Sequence, residues 1–294
     1  MTVAAVSSVA HVAPAAAETK GRPIVHRTRG QTHGPITRLM SPGDLGELVK
    51  PFIFLDRFEV DAARGRGFPA HPHSGIATHT TLLEGASSYG DATGKSGRMD
   101  AGSLEWMRAG AGVWHWGTPE PGRRILGYQL WVALPSGLEH APAESAYIEA
   151  ADVPGSGNVR VLLGRHGAMV SPIPYGEALT YLHVTLRDGE TWTYTPPEAH
   201  DVAWLAVHRG RLHAGNAVLE REMAVFADAK GEAGRITLRA EGDVELVLGS
   251  AAKHPHPLVC GMYSVHTSEA ALARGEAEIE RIGRLPHVMD ARRR

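Results

Sequence analysis

Turn residues punctuate this chain so often that long helices have almost nowhere to form. Gly and Pro supply 34 and 19 of the 294 residues, about 18 % where an average chain carries about 12 %. Between them lie short apolar or alternating runs, the pattern of strands joined by tight turns. In the first half these runs are Ile24 to Arg29, Pro51 to Phe58, Thr78 to Leu83, Ser103 to Met107 and Leu126 to Leu134, and Tyr89 to Met99 reads as a turn-rich hairpin connection. A low-complexity joint at Pro154 to Gly157 precedes a second series: Tyr181 to Leu186, Thr191 to Thr195, Val202 to Val207, Met223 to Ala227, Arg235 to Ala240 and Val244 to Leu248. At about 150 residues per domain the length gives two domains. Two strand-rich halves of similar size fit a pair of small β-barrels or sandwiches. One clear helix is expected near the end, with Thr267 or Ser268 as N-cap, Glu269 in the first turn, Ala270, Leu272, Ala273 and Ile279 along it, and a stop near Gly283. Asp290 to Arg294 reads as a short, solvated basic end.

Composition narrows the function classes. The chain is 43 % hydrophobic and 21 % charged with a net charge of −2, a globular balance without the basic surface that phosphate backbones require. Direct nucleic-acid binding is therefore not expected. Cys260 is the single cysteine, so internal disulfides and thiolate metal clusters are out and a cytoplasmic location is expected. No apolar run approaches the about 18 residues of a spanning helix, so no membrane partner is expected. Residues 1–20 carry no Lys or Arg before Lys20, so the basic region of a secretory signal is missing and the segment reads as a mobile tail.

The conspicuous excess is histidine, at 17 residues. His71-Pro72-His73 is the sharpest local feature. In extended backbone, residues two apart point the same way, about 7 Å from one another, so both imidazoles can converge on one ion. The intervening proline stiffens the pair. The plain alternative is two solvated surface histidines. Downstream, Gly110 and Gly112 permit a tight turn after the Leu104 to Met107 run, and His115 enters the next strand. A third imidazole from an adjacent strand would complete a site with open positions for water, oxygen or substrate. Taken alone, His115 reads as a core histidine bonded to a backbone carbonyl.

The ordered strings Pro51-Phe52-Ile53-Phe54-Leu55-Asp56-Arg57-Phe58, Gly67-Phe68-Pro69-Ala70-His71-Pro72-His73-Ser74-Gly75, Thr80-Thr81-Leu82-Leu83-Glu84-Gly85, Glu105 to His115 and Gln129-Leu130-Trp131-Val132-Ala133-Leu134-Pro135 resemble the pirin family of bicupins. The likeness is close over the first half. It is looser over the second, through the strand pattern and the closing Gly261-Met262-Tyr263-Ser264-Val265-His266-Thr267 segment. The resemblance implies an all-β fold of two tandem cupin β-barrels with a short C-terminal helix: residues 1–20 a tail, 21–153 a metal-binding cupin, 158–266 a second cupin, and 267–294 the helix and tail. It implies one divalent metal, often iron, with His71, His73 and His115 matching three family ligands. The fourth family ligand is a glutamate two residues after the last histidine, and here that position is Gly117.

Loss of that carboxylate leaves a divalent site at +2 instead of +1, which favours an anionic substrate and, for iron, the reduced state. It also removes a candidate base. Glu120 is the nearest carboxylate in sequence. His79, six residues after His73, is a candidate compensating ligand if Ser74-Gly75 does not break the strand's phase. His254-Pro255-His256-Pro257 repeats the string but reads as surface linker, and His183, His200, His208 and His213 are scattered, so the second barrel reads as metal-free. Trp106, Trp114, Trp116 and Trp131 read as core or pocket walls that suit a flat organic substrate. Two functions follow from the resemblance: a metal-dependent dioxygenase acting on a small aromatic, flavonol-like substrate in the manner of quercetin 2,3-dioxygenase, or a non-enzymatic metal- or redox-sensing regulator with a protein partner.

Overall fold

The computed structural model describes residues 21–61, 67–173, 175 and 179–293; the N-terminal tail of residues 1–20 lies outside the described residues. The first half folds as two sheets. A seven-stranded sheet runs in the order Glu144–Ile148, Leu104–Arg108, Ile76–Glu84, Arg124–Ala133, Phe52–Asp61, Ile36–Met40, Gln31–His33, all antiparallel. A four-stranded sheet, Phe68–His73, Val113–Pro119, Ala86–Asp91, Ser96–Asp100, lies against it. Tyr89 to Met99 is accordingly two paired strands and not only their connection, with Tyr89 opposite Gly97.

The second half is built on a nine-stranded sheet in which Val202–Ala214, Ile236–Ala251 and Leu179–Leu186 lie side by side. The runs Arg235 to Ala240 and Val244 to Leu248 are a single strand, Ile236–Ala251, that bends where Gly242 takes φ +73. Its first part pairs Thr191–Tyr194 and its second part pairs Leu179–Leu186, so one strand joins both sides of the barrel. Ile24–Thr28 pairs with Met223–Phe226, so the first strand among the described residues belongs to the second barrel's sheet.

Alternation along the strands separates two cores. Leu182, Val184, Leu205, Val207, Leu246 and Leu248 fill the inside of the second barrel. On the opposite faces of the same strands, Tyr181, Trp204 and Val247 pack with Phe52, Trp106 and Tyr128 of the first barrel, and Phe52 meets Trp204 edge-on at 5.5 Å. The halves therefore share one continuous apolar layer.

The expected C-terminal helix is Glu269–Ile282, capped by the Ser268 hydroxyl, which accepts from the Ala271 N–H. The structure adds two helices, Leu45–Val49 and Pro286–Arg293. The last of these takes up the basic end: Val288 is buried beside Trp114 and Ile282, and the Arg292 guanidinium lies 4.7 Å over the Trp114 ring. Among the described residues no helix is long and apolar enough to cross a membrane.

Candidate metal centre

His71, His73 and His115 come together. Their strands are neighbours, with His115 directly opposite His71, and one ring nitrogen from each lies within 4.8 Å of the others. His73 and His115 are buried while His71 is partly open to a cavity.

The hydrogen bonds fix which nitrogen of each ring faces the centre. His71 Nδ1 sits 2.8 Å from the Pro69 carbonyl and His73 Nδ1 sits 3.1 Å from the Tyr263 carbonyl. A carbonyl only accepts, so both Nδ1 atoms carry the proton and both Nε2 atoms present lone pairs. His115 Nδ1 lies 3.3 Å from Glu105 Oε1 and donates to it in the same way. The His71 and His115 Nε2 atoms stand 2.9 Å apart, and His73 Nε2 is buried without a hydrogen-bond partner. Two lone pairs at that distance repel unless a cation lies between them. Two nitrogens bound at about 2.1 Å and a right angle are about 3 Å apart, so the spacing suits a shared ion.

Electrostatics keep the donors in the state a metal requires. Burial, with the neighbouring His115 ring adding to it, pushes the His71 pKa down to about 3. Burial likewise holds His73 well below the usual imidazole range. Glu105 is the residue that sequence reasoning missed. Burial pushes its pKa up, but His115, Thr80 and Tyr147 outweigh that and hold it below the usual carboxylate range. The Thr80 hydroxyl donates to Oε2 at 2.6 Å and the Tyr147 hydroxyl to Oε1 at 3.2 Å. An acidic residue in the middle of the apolar run Leu104-Glu105-Trp106-Met107 was the available signal, since carboxylates are seldom buried unpaired.

The other candidates lie elsewhere. Gly75 takes φ +73 between Phe68–His73 and Ile76–Glu84, and the broken phase turns His79 away from the cluster. His79 packs edge-on to Tyr181 at 5.3 Å, inside the layer between the barrels. Glu120 pairs with Arg98 at 3.1 Å and is not in the cluster. Gly117 lines the cavity, and a Cβ there would meet nothing closer than the Ser88 carbonyl at 3.4 Å. His254 is buried, against the surface reading, and its N–H bonds to the Lys50 carbonyl at 3.0 Å. Its ring lies 5.3 Å from that of His256.

The cavity beside the cluster measures about 360 Å³. Phe54 stacks on Trp131 at 4.1 Å, and Trp131 meets the His73 ring edge-on at 4.9 Å. Phe58, Phe68 and Trp116 complete an aromatic lining, with Gln129 and Thr80 as polar points and Met262 and Tyr263 at the rim. Beyond Phe54, Arg38 covers that ring at 4.1 Å and pairs with Asp56 through two bonds, 2.5 and 3.0 Å.

Two tandem barrels with a histidine cluster in the wall of the first define a bicupin. The chain belongs to the pirin family. The pirin family model matches residues 34–132. A pirin-like protein of Caulobacter vibrioides is 32 % identical over 253 residues, 80 % of this chain and 89 % of the relative. A Pseudomonas aeruginosa protein named "Putative quercetin 2,3-dioxygenase" is 30 % identical over 240 residues, 76 % of this chain and 83 % of the relative. In structure, a quercetin 2,3-dioxygenase from Acinetobacter baumannii matches with TM-score 0.81 at 24 % identity, covering 92 % of this chain and 100 % of that one. The Escherichia coli pirin YhhW, solved in complex with nickel(II), matches with TM-score 0.61 at 20 % identity, covering 79 % and 98 %.

Proposed function

We propose that this chain is a mononuclear metal-dependent dioxygenase whose substrate is a planar phenolic, flavonol-like molecule, with iron as the resident ion. The reading rests on one observation above the others: three imidazoles in the wall of an aromatic cavity offer unprotonated Nε2 atoms to one point. His71, His73 and His115 would hold the ion. A redox-active divalent ion supplies the one-electron chemistry that dioxygen needs to react with a closed-shell organic ring. The names carried by the Pseudomonas relative and the Acinetobacter structure support this substrate class, and a nickel complex of a pirin supports a divalent metal.

The chain's own residues account for binding and orientation. Trp131 and Phe54 offer stacked faces to a flat ring, and Gln129 and Thr80 offer hydrogen bonds at its edge. The cavity volume of about 360 Å³ falls within the about 300–1,000 Å³ of small-molecule sites. Glu105, already accepting three hydrogen bonds, orients His115 and is a poor base. The exposed, unpaired Cys260 fits a reducing compartment such as the cytoplasm.

The test is metal analysis of the purified protein followed by oxygen uptake with quercetin. Oxygen consumption that stops on chelation, returns with Fe²⁺ and is lost in His73→Ala supports the reading. Iron-loaded protein that consumes no oxygen with flavonols refutes this substrate class.

A further inference from the structure

A second group of metal-type ligands lies on the outer face of the second barrel. His183 stands on Leu179–Leu186, His208 on Val202–Ala214 and Glu245 on Ile236–Ala251, the strand between the other two. Their ligand atoms all lie within 4.8 Å of one another. Sequence separation hides the cluster, because only strand register brings positions 183, 208 and 245 side by side.

The local backbone builds it. Thr185 is opposite Glu245 and His183 opposite Val247, so His183 is the diagonal neighbour of Glu245 on one face. On the other side Val207 pairs with Leu246 and Arg209 with Glu245, which leaves His208 as the extra residue of a β-bulge. Bulges re-aim side chains, and this one turns His208 toward Glu245, Nε2 to Oε2 3.1 Å. His183 Nε2 approaches the same oxygen at 3.9 Å. Glu245 Oε1 is held from outside by Arg209 at 3.4 Å, which keeps Oε2 turned inward.

The hydrogen bond between His208 and Glu245 satisfies one edge of this triangle. His183 Nε2 is buried and finds no hydrogen-bond partner, an arrangement proteins rarely leave in place. The His208 side chain is 4 % exposed and His183 11 %, while Glu245 is 29 % exposed. The cluster is thus walled by protein and open on one side, toward a polar cleft of about 120 Å³ between the barrels. Of the four arginines that line the cleft, Arg124 and Arg221 pair with Glu59, at 2.7 and 3.5 Å, Arg209 pairs with Glu245 itself, and Arg57 Nη1 is buried without a hydrogen-bond partner.

We propose that His183, His208 and Glu245 form a second metal site, independent of the first, for a borderline-soft divalent ion of the Zn²⁺, Co²⁺ or Ni²⁺ kind. Two imidazoles and a carboxylate select such ions over Mg²⁺ and Ca²⁺, and the cleft leaves room for water on the remaining positions.

The test is a Co²⁺ titration of metal-free full-length protein, read by equilibrium dialysis and by visible d–d absorption. In His71→Ala/His73→Ala protein, one Co²⁺ per chain is expected to remain, and adding His208→Asn should weaken it by at least about 100-fold, more than loss of an outer partner would. Glu245→Gln, which keeps the shape, should do the same if His208→Asn folds poorly. Full-length protein that loses all Co²⁺ binding with His71 and His73 overturns the second site and leaves the first standing. Binding that survives there but vanishes with Glu245→Gln supports the second site whatever the first one does.

Discussion

Replacing Glu105 with glutamine removes one negative charge and leaves the shape of the His115 support in place. The carboxylate lies 3.3 Å from His115 Nδ1, so an ion on Nε2, across the ring and one bond of about 2.1 Å, would stand about 7 Å away. A −1/+2 pair at that separation interacts by about 5 kcal/mol at an effective dielectric near 20. The cavity side is solvated, and the glutamine oxygen can still accept from Nδ1. The expected loss is therefore nearer the about 10- to 100-fold typical of groups that support metal-binding histidines, about 1.4–2.7 kcal/mol. A chelator-competition titration measures it, with Glu245→Gln in both proteins to silence the proposed second site. Metal-free melting temperatures of the two proteins should agree within a few degrees. An affinity unchanged within twofold would refute the reasoning, since His115 would then not be a donor whose basicity Glu105 sets.

Gly117→Glu places a carboxylate beside the cluster where a Cβ has room, so divalent binding should tighten by the same titration; weaker binding would show that the side chain points away. The metal-free protein should lose stability as pH falls from about 6.5 toward 4. Burial lowers the His79 and His183 pKa values to about 4, so the unfolded chain binds more protons in that window, at up to about 1.4 kcal/mol per group and pH unit. Melting temperatures flat between pH 6.5 and 4.5 would count against neutral buried imidazoles. Trp131→Ala removes the ring stacked on Phe54 and should cost about 3–5 kcal/mol in denaturant unfolding; a loss under about 1 kcal/mol would mean that the stack is not part of the packed wall. Ser74→Ala deletes hydroxyl bonds to Ser264 Oγ at 2.8 Å and His266 Nε2 at 3.0 Å, and should cost about 1–3 kcal/mol, read by the same unfolding curve.

The meeting of His71, His73 and His115 was legible in the sequence because its information is local. His71 and His73 are two apart on one strand, and the glycine turn at Gly110 and Gly112 delivers His115 to the adjacent strand. The broken phase at Ser74-Gly75, which turns His79 away, was legible for the same reason. What stayed hidden depends on long-range register. Glu105 reaches His115 from a different sheet, and the His183, His208 and Glu245 group needs three strands and a bulge. The long strand Ile236–Ala251 reads as two because Gly242 interrupts its alternation without ending its pairing. The final helix is masked by its polar composition; only the burial of Val288 against Trp114 reveals its packed face.

Anomalous diffraction from crystals of the iron-loaded protein, recorded on either side of the iron edge, tests the central claim most directly. A peak is expected within about 2.0–2.3 Å of Nε2 of His71, His73 and His115, with Glu105 bonded to the far side of His115. Iron density elsewhere, with these three nitrogens bridged by water or by one another, would contradict it.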